Sequence, residues 1–153
     1  MCDDNLRILV VDDSRATLFV LEQLMRRLDC EIRTCEDSKE AVRVVQQFAP
    51  HIVILDIQMP DLDGYMVAED LSELESPDYL LVALTAYSDE EHRRECEANG
   101  FDVFLAKPAS MEELERLVET ARARFLPVGF ASRCRTKNRF GAMPAQRNLS
   151  NGA

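Results

Sequence analysis

The sequence is poor in the features that announce several common protein classes. No window approaches the ~18–20 uninterrupted apolar residues of a membrane span, so membrane insertion is not expected. The N-terminus, MCDDNLR, carries early acids where a secretory signal has a basic and then an apolar stretch. Histidine occurs twice, at His51 and His92, and no C-x-x-C pair exists among Cys2, Cys30, Cys35, Cys96 and Cys134. That leaves neither the paired short spacings of a thiolate zinc site nor an even disulfide framework, so the cysteines read as reduced and structural. Basic residues are outnumbered, 18 against 28 acids, for a formal charge of −10. A general nucleic-acid binder needs clustered Lys and Arg, so direct nucleic-acid binding is not expected. No internal repeat is visible. A cytoplasmic, soluble chain of 153 residues, with room for one domain, is the expectation.

What acid the chain has is confined to one part of it. Residues 1–127 hold all 28 acids and 13 of the basic residues, a net −15. Residues 128–153 hold no acid, three of the five glycines, and Arg133, Arg135, Lys137, Arg139 and Arg147, a net +5. The expected division is an acidic domain over 1–127 and a basic, disordered tail over 128–153. Such a tail is either a solvated appendix or an arm that touches an acidic partner or its own domain.

Within the acidic part, short apolar runs alternate with helical stripes. The runs are Arg7–Val11, Glu31–Cys35, His51–Leu55, Leu80–Leu84 and Asp102–Leu105, which fits strands buried on both faces of a parallel sheet. Between them, Leu18, Leu21, Met25 and Leu28 recur at helical spacing. So do Ala41, Val44, Val45 and Phe48, then Val67, Leu71 and Leu74, and finally Met111, Leu114, Leu117, Val118, Ala121 and Phe125. Ser14 is placed to cap the first helix, over 15–28. Ser88 with Glu91 and Ser110 with Glu113 fit capping boxes, and Asn99-Gly100 fits a helix stop. The helix over 89–99 has only Cys96 and Ala98 as apolar anchors and should be weakly held. Five strands alternating with five helices predict an α/β fold: a doubly wound, five-stranded parallel sheet with helices on both faces.

In such sheets the chemistry lies beyond the carboxyl ends of the strands. Strand one ends in Asp12-Asp13, strand three in Asp56, strand four in Thr85 and strand five in Lys107-Pro108. If strands one and three are neighbours, about 5 Å apart, Asp12, Asp13 and Asp56 would crowd a small volume. Like charges at about 4 Å repel by several kcal/mol at an effective dielectric near 20. Lys107 offsets part of this, and all-oxygen donors suit Mg²⁺ for the rest. A carboxylate nucleophile, a metal, a hydroxyl and a lysine are the parts needed to move a phosphoryl group.

The pieces ILVVDDS at 8–14, IVILDIQMPDLDGY at 52–65, VALTAY at 82–87 and VFLAKP at 103–108 resemble the receiver, or response regulator, domain of two-component signalling. The likeness is to stand-alone chemotaxis-type regulators and covers about 6–126. The intervals from Asp13 to Asp56, Thr85 and Lys107 agree with it. The resemblance implies a flavodoxin-like fold with strand order 2-1-3-4-5. It implies that Asp56 is the phosphoacceptor, and that Asp13, Asp12, Asp56 and the backbone carbonyl of Gln58 hold Mg²⁺. It assigns Thr85 and Lys107 to the phosphoryl group, Phe104 to the switch aromatic, and a cis peptide to Lys107-Pro108. Gln58 and Tyr87 stand where the family tunes loss of the phosphoryl group, and Tyr87 would shield it. The implied donor is a sensor histidine kinase or histidine phosphotransfer protein that docks on the first helix. The implied output is a downstream protein target on the 89–125 face. The chain would then be a phospho-accepting signalling module that assists its own phosphorylation rather than an enzyme. It could act as a stand-alone regulator, a relay intermediate, a phosphate sink or a receiver cut from a longer parent. A phosphatase of the haloacid dehalogenase type would want D-x-D after its first strand, where this chain has Ser14. A receiver-like protein that no longer takes phosphate would not need Asp56, Thr85 and Lys107 together.

Overall fold

In the computed structural model, residues 5–58, 64–74, 78–86 and 89–126 are described. Five strands alternate with five helices. These are β1 (Leu6–Val11), α1 (Arg15–Arg26), β2 (Cys30–Cys35), α2 (Ala41–Phe48) and β3 (Ile52–Asp56). After them come α3 (Gly64–Ser72), β4 (Leu80–Thr85), α4 (Glu90–Ala98), β5 (Val103–Ala106) and α5 (Met111–Phe125). A short 3₁₀ turn, Ser38–Glu40, leads into α2. All pairings are parallel and the order is β2-β1-β3-β4-β5. The predicted fold class and strand order are those observed.

The alternation of side chains along each strand divides the core in two. On one face Leu9, Val11, Val53, Leu55, Leu81 and Ala83 pack with Val45, Phe48, Val67, Leu71, Cys96 and Phe101 from α2, α3 and the α4–β5 region. On the other, Ile8, Val10, Ile52, Ile54, Val82 and Leu84 pack with Leu18, Leu21 and Met25 of α1 and Leu114, Leu117 and Val118 of α5. Every residue of β3 and β4 is buried, which is why these runs carry no polar alternation until their last residues, Asp56 and Thr85. The edge strand β2 instead exposes Glu31 and Arg33, a composition that discourages pairing with another sheet.

Helix ends follow the expected chemistry with one correction. Ser14 Oγ accepts the Thr17 N–H at 3.3 Å. Ser110 and Glu113 form a reciprocal capping box, each bond 3.1 Å. The predicted Ser88–Glu91 box is not the start of α4. Asp89 is the N-cap, its carboxylate accepting the His92 N–H at 3.0 Å. Ser88 itself lies outside the described residues. The stop at Asn99-Gly100 is confirmed, with Asn99 as C-cap and Gly100 at φ 92°, a conformation that disfavours a side chain. Of α4, Cys96 alone is buried, so the expectation of a lightly anchored helix holds. Lys107-Pro108 is cis.

Candidate functional site

The parallel register brings the strand ends to one pole. Val11 of β1 lies beside Leu55 of β3, so Asp12 and Asp56 follow on neighbouring strands at the same level. Asp56 is opposite Leu84, and Thr85 is opposite Ala106, one residue before Lys107. Backbone bonds lock these exits. Asp12 N–H donates to Cys35 O at 3.1 Å, Ile57 N–H to Leu84 O at 3.0 Å and Lys107 N–H to Thr85 O at 2.8 Å. The residues named from sequence at the four strand ends therefore converge.

Asp12 is fully buried and Asp56 and Thr85 nearly so, while Asp13 is exposed. One carboxylate oxygen from each of Asp12, Asp13 and Asp56 lies within 4.8 Å of the other two. The Lys107 ammonium sits 3.1 Å from Asp12 Oδ2 and 3.3 Å from Asp56 Oδ1. The Gln58 N–H donates to Asp56 Oδ1 at 3.1 Å and the Ser14 N–H to Asp12 Oδ1 at 2.9 Å. These bonds orient the acids, yet Asp12 Oδ2 is buried and receives no hydrogen bond among the described residues. Its contact with Lys107 is an ion pair without hydrogen-bond alignment.

The electrostatics record the crowding. Burial, then the charge of Asp12, push the Asp56 carboxyl up to about 6; Lys107 and the Gln58 N–H act the other way. Burial would lower the Lys107 ammonium, but its close contact with Asp12 and the charges of Asp12 and Asp56 outweigh that and hold it above the ordinary value. One amine is shared by two buried carboxylates with a third beside them. Three hard oxygen donors, one of them buried without a hydrogen bond, fit a small divalent cation of the Mg²⁺ class.

Gly64 builds the floor of this pole in a way spacing alone does not show. A side chain there would place Cβ 2.7 Å from Asp56 O and 2.9 Å from Ile57 Cα. Its N–H donates to Ile57 O at 3.0 Å. The start of α3 therefore rests on the backbone that carries Asp56, and only glycine fits.

Phe104 stands apart from the acids, half-buried on β5. The Arg93 guanidinium lies 5.8 Å from its ring centre, a cation–π contact that sequence reading missed, because the partners belong to elements joined only by folding. Both line a groove of about 360 Å³ between α4 and α5, floored by Phe101, Val103, Leu105 and Leu117. The Ser14 N–H was also missed as an orienting donor; its position right after Asp12-Asp13 was the available signal. Tyr87, named as a shield, lies outside the described residues, as do Met59-Pro60, Asp61 and Asp63.

Comparison with known proteins agrees with this geometry. The family model of the response regulator receiver domain matches residues 8–119. The chain is 34% identical over 116 residues to the sensor protein GacS of Pseudomonas syringae pv. syringae, which covers 73% of this chain and 13% of GacS. It is 35% identical over 114 residues to the probable transcriptional regulator ycf27 of Cyanophora paradoxa, covering 74% of this chain and 47% of that protein. The chain thus spans less than half of each of these two relatives. Among solved structures, the receiver domain of Saccharomyces cerevisiae Ssk1, crystallised with the histidine phosphotransfer protein Ypd1, is similar in fold. Its TM-score is 0.72 at 20% identity, over 82% of this chain and 94% of that one. No helix among the described residues is long and apolar enough to cross a membrane.

Proposed function

The chain belongs to the response regulator receiver family, and from that premise we propose that Asp56 accepts a phosphoryl group from a phosphohistidine and that the modified domain signals through a protein contact. The observation that carries this reading is the shared lysine: Lys107 bridges Asp12 and Asp56, and the Asp12 oxygen it faces is buried and receives no hydrogen bond among the described residues. Such a pole is arranged to receive positive and then phosphate charge, since its own acids are left under-compensated.

In this reading one Asp56 oxygen attacks phosphorus. The P–O bond forms as the P–N bond breaks, and the imidazole leaves with the electron pair and takes up a proton. Asp56 Oδ1 is held by the Gln58 N–H, which fixes the carboxylate's rotation for that attack. Lys107 is within ion-pair reach of Asp56 and turns toward the transferred group. Thr85, buried at the next strand end, donates its hydroxyl to a phosphoryl oxygen. Asp12, Asp13, Asp56 and the Gln58 carbonyl would hold Mg²⁺, which when bound supplies the charge neutralisation that phosphoryl transfer needs. Gln58 and Tyr87 set how readily water reaches the acyl phosphate. Ser14, where a hydrolase would want a second acid, is engaged as the α1 cap, which favours an acceptor over a turnover enzyme.

Adding nearly two negative charges draws Thr85 and Lys107 inward, frees room for Phe104, and shifts the lightly anchored α4. The 89–125 face would then meet a downstream protein. The donor, a histidine kinase or histidine phosphotransfer protein, would dock on α1, whose Phe19 and Val20 are 62% and 52% exposed. The pairing of the Ssk1 receiver with Ypd1 supports a partner of that kind. A cytoplasmic location, a receiver over 1–127 and a separate tail over 128–153 complete the proposal. The test is intact-mass labelling with acetyl phosphate and Mg²⁺. One phosphoryl group per chain is expected, abolished by Asp56→Asn; unchanged labelling of that variant would move the acceptor elsewhere.

A further inference from the structure

The two ends of α4 are held unequally. Its N-terminal half, Glu90 to Arg94, buries no side chain: His92 is half-buried and the others are exposed. The cap there is local, with Asp89 accepting the His92 N–H, and toward the sheet Arg93 meets the Phe104 ring across 5.8 Å. At the other end Cys96 and Phe101 are 1% and 2% exposed, and the Phe101 N–H donates to Cys96 O at 3.1 Å. The next residue, Asp102, is tied to β4 twice. Its N–H donates to Leu81 O at 2.7 Å, and its carboxylate accepts the Leu81 N–H at 3.0 Å.

Tyr65 joins this held end to α3. Its hydroxyl lies 3.7 Å from Cys96 Sγ, and its ring meets that of Phe101 edge-on, centres 6.1 Å apart. The residue before it is Gly64, packed against Asp56 O and Ile57. The first turn of α3 therefore connects the acceptor strand with the buried end of α4. We propose that Tyr65 is a positioning residue that pins this end, so that α4 answers a change at the acceptor by pivoting about Cys96 and Phe101 while its N-terminal turn swings. The reason is the asymmetry of burial. Moving Cys96 and Phe101 would strip apolar area and an edge-to-face ring pair from the core, whereas moving Glu90 to Arg94 strips almost none. Glu90 lies about 9 Å along the axis from Cys96, so a small rotation at the pin carries Arg93 across Phe104 and reshapes the groove that both line. Gly100, between the helix and Phe101, has φ 92° and open space where a side chain would stand, which leaves the pivot unobstructed.

The pin belongs to the unphosphorylated chain; its use as a pivot rests on the function proposed above. The test reads the two ends of α4 separately in the full chain. Alkylation of Cys96 by N-ethylmaleimide, resolved by peptide mass, reports the pinned end, and the amide NMR signals of Glu90 to Arg94 report the free one. Cys35, buried in the same core but on β2, is the reference for global unfolding. Without a phosphodonor, Tyr65→Ala should speed Cys96 alkylation about tenfold or more with Cys35 unchanged, and Tyr65→Phe, which keeps the ring, should stay within about threefold of wild type. With acetyl phosphate and Mg²⁺, the Glu90 to Arg94 signals of wild type should move while Cys96 alkylation stays within about twofold. A Tyr65→Ala protein in which Cys96 stays protected, or in which Cys96 and Cys35 speed up together, would overturn the pin. Wild-type Cys96 that opens on phosphorylation would overturn the pivot. Intact mass reports the phosphoryl group independently: a chain that takes no label loses the acceptor reading and the pivot with it, whereas the Tyr65 variants without phosphodonor still decide the pin.

Discussion

Replacing the acceptor should stabilise the metal-free protein. Asp56 is buried beside Asp12, and its carboxyl is raised from 3.8 to about 6. The sign follows from linkage. A folded-state value above the unfolded one means that the folded protein holds the proton more tightly, so stability falls as pH rises through about 6. A rise of roughly two units at about 1.4 kcal/mol each makes ionised Asp56 cost about 3 kcal/mol of folding free energy above pH 7. Asparagine resembles the neutral acid. It keeps an oxygen for the Gln58 N–H, removes the repulsion with Asp12, and leaves Lys107 paired with Asp12. Urea unfolding of wild type and Asp56→Asn in a chelating buffer is the assay. At pH 7.5 the variant should be more stable by about 1–3 kcal/mol, the lower figure allowing for imperfect replacement of the Lys107 ion pair. The gain should shrink through pH 6 and be near zero by about pH 4. Adding Mg²⁺ should raise wild-type stability and narrow the gap, because an ion that binds only the folded state stabilises it by mass action. A variant that is less stable at pH 7.5, or a difference flat in pH, would refute the claim that the acids at this pole are under-compensated.

Other outcomes follow from the same structure. Gly64→Ala puts a methyl 2.7 Å from Asp56 O, so a loss of about 2–4 kcal/mol is expected by thermal unfolding, with weaker acetyl phosphate labelling as the acceptor backbone shifts. An alanine variant equal to wild type in both would mean that α3 does not rest on β3. Ser110→Ala should cost about 1 kcal/mol in urea unfolding by removing one arm of the α5 capping box. Asp12→Asn should weaken Mg²⁺ binding measured by calorimetry at least tenfold, and undiminished affinity would place the ion away from Asp12.

Much of this architecture was written locally. Runs such as Ile52-Val53-Ile54-Leu55 bury both faces, and their shortness and β-branched content favour a strand over a buried helix. The capping box at Ser110 was legible because both partners lie within one turn. Ser88 and Asp89, adjacent good caps, were not separable in that way. Which one starts α4 depends on the backbone angles of that turn, and Asp89 takes the extended conformation of a cap. Gly64 is visible in the sequence only as the glycine of DLDGY; its reason, contact with the Asp56 carbonyl, exists only once α3 is laid on β3. Arg93 gave no local signal, since its partner Phe104 comes from another element.

By itself, the sequence determined the alternation of strands and helices, the burial of the central strands and the identity of the polar residues at each strand end. These are local properties, set by side-chain period and turn chemistry. Only the tertiary structure decided that α1 and α5 share one face, that Lys107 is divided between Asp12 and Asp56, and that one oxygen of Asp12 is buried with no hydrogen bond from the described residues. Distance, burial and charge compensation are properties of pairs, and the chain acquires them when the sheet brings its strand ends to one pole.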